Sequence, residues 1–117
     1  VSDYYKGLAV GIPLHLSQLK NGTSKGDVVA TLKAAYSDST FVQVLEADAQ
    51  DALYDGGFNV EACNDTNTCQ IVVYGNEEQV VIYSRLDNLG KGASGAAVQC
   101  MNLRMGFAET DGLAIKN

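Results

Sequence analysis

Basic side chains are scarce in this sequence: eight Lys and Arg stand against fourteen Asp and Glu in 117 residues, a net charge of -6. They are scattered rather than clustered, so no positive stripe is on offer to a phosphate backbone or an anionic bilayer. Nucleic acid and membrane are therefore not expected partners. Long hydrophobic runs are missing too, none approaching the roughly 18 apolar residues of a spanning helix. Residues 1–7 have neither the basic flank nor the apolar block of a secretion signal, and the expectation is a soluble, cytoplasmic protein. Cysteine occurs three times, as Cys63, Cys69 and Cys100, an odd count that does not suit a secreted disulfide framework and points to reduced thiols. Histidine occurs once, and His15 lies in an alternating strand pattern remote from those cysteines, so no zinc site is expected. The sequons at Asn21 and Asn64 matter only in a secretory compartment, of which the composition gives no sign.

What is present suits one domain over 1–117, with 46% hydrophobic and 19% charged residues. Leu8, Val10, Ile12, Leu14 and Leu16 alternate with small or polar residues, which predicts a strand burying that face and leaving His15 on the other. Pro13 lacks a ladder donor and suggests an edge position. After a turn at Lys20-Asn21-Gly22, Ser24 and Asp27 have the spacing of a capping box. They predict a helix with Val28, Val29, Leu32, Ala35 and Tyr36 inward and Lys25, Thr31 and Lys33 in solvent. Phe41 to Leu45 gives a short strand, and Glu46 to Gly57 reads as an acidic, mobile loop without calcium-loop spacing. Cys69 to Tyr74 and Val80 to Tyr83, joined by Gly75-Asn76-Glu77-Glu78, predict a β-hairpin covered on both faces. The fold class expected is α+β, with a mixed, mostly antiparallel sheet and helices packed on one side.

The richest stretch runs from Asp87 to Phe107. Gly92, Ala93, Ser94 and Gly95 place four nearly side-chain-free positions where a strand gives way to a helix, and Val98, Met101 and Met105 then follow a helical rhythm up to a stop at Gly106. Residues 92–105 form the predicted final helix. Taken alone, the small residues allow close approach either by another part of the protein or by a flat ligand. Cys69 and Cys100 sit in apolar surroundings where a thiol is expected to be inert filler.

This stretch resembles the C-terminal signature of the N-acetyl-gamma-glutamyl-phosphate reductases, D-N-L-x-K-G-A-x-G followed by V-Q-x-M-N-L and G-F-x-E-T. Shorter likenesses run in the same order upstream. Tyr5-Lys6-Gly7-Leu8 resembles an R-G-x-L step with Lys6 in place of arginine, Thr40-Phe41-Val42 an x-F-V step, and Asn67-Thr68-Cys69-Gln70-Ile71 an N-x-C-D-I step. The resemblance implies a domain like the glyceraldehyde-3-phosphate dehydrogenase-type C-terminal domain. The whole enzyme would be an NADP-dependent reductase of arginine biosynthesis, taking a small-molecule acyl phosphate to the semialdehyde through a cysteine thioester. The family's N-P-G-C and G-H-R-H-x-P-E motifs do not occur in these residues, and no strand is followed by G-x-G-x-x-G. The chain is therefore expected to be a C-terminal portion, inactive alone, homo-oligomeric through its sheet, with the final helix returning to a nucleotide-binding domain.

By the same resemblance, Gly92, Ser94, Gly95 and Gln99 are the expected cofactor-binding residues and none is expected to be catalytic. Ala96 stands where relatives usually carry Gln or Asn, which removes one side-chain amide from that contact. Two other readings are a free-standing interaction or dimerisation module derived from the family and a fragment of aspartate-semialdehyde dehydrogenase, against which the V-Q-x-M-N-L and G-F-x-E-T elements argue.

Overall fold

A computed structural model describes residues 3–20 and 22–116; Asn21, with its sequon and its place in the expected turn, lies outside the described residues. Four strands form a mixed sheet in the order β1-β6-β5-β2, with β1 at Leu8–His15, β2 at Val42–Val44, β5 at Cys69–Gly75 and β6 at Gln79–Leu86. The β1/β6 and β5/β6 pairs are antiparallel and β2/β5 is parallel. The parallel pair requires a crossover, which residues 45–68 supply between β2 and β5, while helix α1 (Lys25–Ala35) lies in the connection between β1 and β2. A second helix, α2 (Gly95–Met105), follows β6, so the α+β class expected from the order of elements is the one observed. Among the described residues no helix is long and apolar enough to cross a membrane.

The hairpin forms where expected. Asn76 Oδ1 accepts from the amides of Glu78 and Gln79 at 2.9 and 3.0 Å, closing the turn. Gly75 has φ +144°, and a Cβ there would lie 2.3 Å from the Gln79 carbonyl oxygen, so only glycine fits.

Helix α1 starts on the predicted capping box: the Asp27 amide donates to Ser24 Oγ, and the Ser24 amide donates to Asp27 Oδ2. Its Val28 and Val29 are buried with Leu16, Val73 and Val80, and Leu14, Leu32 and Ile82 pack around them. Tyr36, expected inward, is exposed, because the helix ends at Ala35 with Tyr36 as its C-cap. Lys25 and Lys33, expected in solvent, reach across to Asp48 and Glu46 and tie the helix to the segment after β2.

Strand β1 departs from expectation on its apolar face. Leu14 is half-buried and Leu16 buried beneath α1, but Leu8, Val10 and Ile12 are 42%, 46% and 50% exposed. The helix is too short to cover the whole strand. The alternation does form a strand, but from Leu8 to Ile12 it marks an uncovered apolar strip rather than core.

The opposite sheet face is covered by Glu46 to Gly57, expected to be a mobile loop, together with the residues that follow it to Cys63. Residues 46–63 carry a 3-10 turn at Gln50–Ala52, a small hairpin of β3 (Leu53–Tyr54) and β4 (Gly57–Phe58), and a 3-10 turn at Val60–Cys63. Two interactions fasten it. The Phe58 ring stacks on Tyr83 with centroids 4.8 Å apart and meets Tyr74 edge-on, while Tyr83 lies so close to Gly11 that a Cβ there would be 2.9 Å from the ring. Arg85, 2% exposed, donates to Gln70 Oε1 through Nε and Nη2 at 3.0 and 2.7 Å. Its Nη1 donates to the carbonyls of Ala52 and Asn59 at 2.9 and 2.7 Å. The guanidinium thus caps backbone groups that a buried loop would otherwise leave unpaired.

Candidate functional site

The residues ahead of β1, the loop before β5, the end of β6 and the segment after α2 converge on a cleft of about 360 Å³. Its floor is set by Asp87. This carboxylate is 1% exposed and accepts from Lys6 Nζ at 2.9 Å and from the amides of Asp65, Leu89 and Gly90 at 2.8, 2.9 and 3.0 Å. Lys6 also donates to Asp65 Oδ1 at 2.6 Å. The neighbouring Asn88 accepts from the Gly7 amide at 2.8 Å, so both residues of the Asp-Asn pair hold the approach to β1. Burial acts to raise the Asp87 pKa, but the Lys6 ammonium and the three amides outweigh it and bring the carboxyl from 3.8 down to about 2. The contacts to Asp65 and then to Asp87 raise the Lys6 ammonium above its ordinary value.

Beyond Asp87 the chain does not turn and then start an α-helix, as expected for 92–105. It enters a five-residue π-helical turn at Gly90–Ser94 that runs straight into α2. Wide-ring bonds define the turn: the Gly92 amide donates to the Asp87 carbonyl at 2.8 Å and the Ser94 amide to the Leu89 carbonyl at 3.1 Å. Gly106, φ +76°, ends α2 as the predicted left-handed stop.

The helix is arranged inside out. Gly95, Gln99 and Asn102 form one stripe; Gly95 and Asn102 are buried and Gln99 is half-buried, whereas Met101, Leu103 and Met105 are 52%, 59% and 64% exposed. The polar stripe wires in the segment that follows. Gln99 Oε1 accepts from Lys91 Nζ at 2.6 Å and from Asn67 Nδ2 at 3.1 Å, and Gln99 Nε2 donates to Glu109 Oε1 at 2.7 Å. Asn102 Nδ2 donates to the carbonyls of Glu109 and Asp111 at 3.2 and 2.9 Å. Residues 107–116 therefore fold back as a strap, further held by the Asn67 amide on the Ala114 carbonyl at 2.7 Å and the Lys116 amide on Thr68 Oγ1 at 2.9 Å. Gly112 to Ala114 form one wall of the cleft.

Of the residues expected to meet a cofactor, Ser94 and Gly95 line this cleft, while Gly92 and Gln99 do not. Gly92 is exposed on the turn, with Leu86 on its other side. The close approach at Gly95 is made by the protein itself, since a Cβ there would sit 2.2 Å from Asn67 Oδ1 and 2.9 Å from the Gly90 carbonyl. Ser94 Oγ donates to the Leu89 carbonyl at 2.8 Å, and the Gln99 amide is engaged at both ends. Asn67 Oδ1, buried beside Gly95, accepts no hydrogen bond among the described residues. Sequence reasoning missed Lys6, Asp65, Asn67 and Asp87 as parts of one site, although all but Asp65 stood in the motifs that carried the resemblance.

Cys63 and Cys69 are not activated thiols. Burial raises the pKa of both Cys63 and Cys69, so neither is a thiolate at neutral pH. Cys100, expected inside an apolar helix, is exposed because α2 turns its polar stripe inward. Among the described residues no three His, Cys, Asp or Glu side chains gather to hold a metal ion.

Residues 1–88 match the family described as "Semialdehyde dehydrogenase, dimerisation domain". The chain belongs to this family. It is 41% identical over 97% of its length to N-acetyl-gamma-glutamyl-phosphate reductase 2 of Nostoc sp. and 40% identical over 97% to the reductase of that name from Trichormus variabilis. Over 85% of its length it is 36% identical to the same enzyme of Methanococcus maripaludis. These likenesses bear out the resemblance seen in Asp87 to Thr110. The chain spans 36% of the length of the first two relatives and 27% of the third.

Two expectations follow from the site. Gly95→Ala should lose about 2–3 kcal/mol in urea unfolding, because the added methyl meets Asn67 and backbone with no room to yield. Gly92→Ala, whose only tight contact is the flexible end of Leu86 at 3.2 Å, with the Asp87 carbonyl oxygen at an ordinary 3.4 Å, should stay within about 1 kcal/mol of the parent. Equal losses would refute the packing account of Gly95. Secondly, a carboxyl held at about 2 in the folded chain against 3.8 contributes stability that is complete above roughly pH 4 and disappears as pH falls through 2. The urea midpoint should fall across that window, and fall less steeply in Asp87→Asn.

Proposed function

We propose that the chain is the C-terminal part of an NADP-dependent reductase of the N-acetyl-gamma-glutamyl-phosphate type, in the route to arginine. It would supply the sheet, a subunit interface and one wall of the cofactor site, and be inactive alone. The observation that carries this reading is the inside-out helix. Met101, Leu103 and Met105, with Phe107 and Leu89 at 55% and 57% exposure, form an apolar surface on α2 and its approaches that an isolated module would leave in water. A nucleotide-binding domain covering this surface accounts for it, and the relatives' greater length supplies the room for one. An independent interaction module would be expected to show a polar surface here.

The residues fit a cofactor contact only at the rim of the cleft. The exposed backbone of Gly92 to Ser94 is open to a flat ring, whereas Gln99 and Gly95 serve internal contacts. When bound, the dinucleotide supplies the hydride; these residues orient it and exclude water along one side. The uncovered strip of Leu8, Val10 and Ile12 is the surface proposed to pair with a second copy, which agrees with the description of the family as a dimerisation domain.

The test is to express the complete reading frame that contains this sequence beside the 117 residues alone. The complete protein should oxidise NADPH in the presence of N-acetyl-glutamyl phosphate and the short chain should not. A reading frame that opens at Val1, or a complete protein without this activity, would overturn the proposal. In the same preparation, Ile12→Glu should shift the sedimentation coefficient from dimer to monomer; a dimer that survives it would place the interface elsewhere.

A further inference from the structure

The turn between β6 and α2 has an unusual dependence on a single residue. A π-helical turn is rare and unfavourable by itself, so something outside its own ring must hold it open. Both ends are pinned here. At the start, Asp87 takes the amides of Leu89 and Gly90 with its carboxylate and that of Gly92 with its carbonyl. At the far end, Ser94 returns both its amide and its hydroxyl to the Leu89 carbonyl. The other carboxylate oxygen of Asp87 takes the Asp65 amide and Lys6 Nζ, so the acceptor positions of the carboxylate are filled by groups from three separate segments. Those segments, the approach to β1, the loop before β5 and the turn itself, are three walls of the same cleft.

A capping side chain at a helix start ordinarily satisfies one or two amides. Asp87 instead buries a charge, an arrangement that apolar packing commonly matches or betters in stability. Stability alone does not explain its use. We infer that Asp87 is a positioning residue: with Lys6 it fixes the Gly90–Ser94 turn relative to the cleft and thereby sets how the turn presents its backbone to the dinucleotide. The second half of this statement rests on the reductase reading above; the first half does not. Lys6 has a definite part, because its ammonium neutralises Asp87 while Asn64 Nδ2 holds its carbonyl at 2.8 Å, so the pair cannot shift without moving the start of β1.

The two halves are separated by two measurements. In the complete protein, hydrogen exchange followed by mass spectrometry should show the peptide spanning Gly90 to Gly95 losing protection in Asp87→Asn by about tenfold more than the one spanning Val72 and Val73 of β5. Lys6→Met should show the same pattern in a milder form, and Lys6→Arg, which keeps the charge, should restore protection. Val29→Ala, a core truncation under α1, should lower protection without singling out the turn. In the complete protein, the Kd for NADPH read by nicotinamide fluorescence should weaken about tenfold in Asp87→Asn and stay unchanged in Val29→Ala.

Turn amides that exchange as in the parent, or no faster than β5, in both Asp87→Asn and Lys6→Met would overturn the positioning role. Selective loosening with unchanged NADPH affinity would remove the link to the cofactor. Selective loosening in a protein whose parent form binds no NADPH would sink the reductase reading and leave the positioning role standing.

Discussion

The buried carboxylate of Asp87 is the interaction on which the cleft end of this domain depends. Three amides and an ammonium converge on it, from residues far apart in the sequence; without the side chain the three amides would lose their partner and Lys6 would keep only the exposed Asp65. Leaving several polar groups buried and unpaired costs far more than any one hydrogen bond contributes. The approach to β1, the loop before β5 and the start of α2 therefore hold their places together. That dependence also explains why the Asp-Asn pair and the lysine ahead of β1 belong to one signature although some eighty residues separate them: Lys6 meets Asp87 and Gly7 meets Asn88.

The rest of the sheet is organised around a different cation. Arg85 precedes Asp87 by two residues on β6 and points to the face that α1 does not cover, where it caps carbonyls of the 50–59 segment and lies over Phe58. No carboxylate pairs with it among the described residues. Its charge is satisfied by carbonyl and amide oxygens, a use suited to the planar, five-donor guanidinium and not to lysine. Strand β6 and the residue just past its end thus hold two buried charges with opposite tasks. Arg85 closes the sheet's second face, and Asp87 sets the junction to the last helix.

Burial at the two ends of the domain differs in kind. Around α1, apolar side chains from helix and sheet interlock in the ordinary way. Around α2, contact with the rest of the domain is made by amides and carboxylates, with Gln99 joining Lys91 to Glu109 and Asn102 gathering the strap. The apolar side of α2 is left outward, as is the far end of β1. A domain of this size with two uncovered apolar surfaces has two faces suited to further protein.

By itself, the sequence determined the local structure and the family. The alternation in β1, the capping box of α1, the hairpin and the glycine stop of α2 are written in neighbouring residues, whose preferences do not depend on the remainder of the chain. The signature from Asp87 to Thr110 pointed to the right relatives. Tertiary structure alone decided which apolar positions are core, because period-two alternation says which side chains share a face but not whether a helix is long enough to cover it. It also decided that the acidic segment Glu46 to Gly57 is part of a cover rather than a mobile loop, since Arg85 and Tyr83, which fasten it, lie more than twenty residues downstream. The same holds for the site. Small residues at Gly92 and Gly95 permit close approach, and only the packed chain shows that Asn67 makes the approach at Gly95 and that Asp87, paired with Lys6, takes the amides at the start of the turn that carries Gly92.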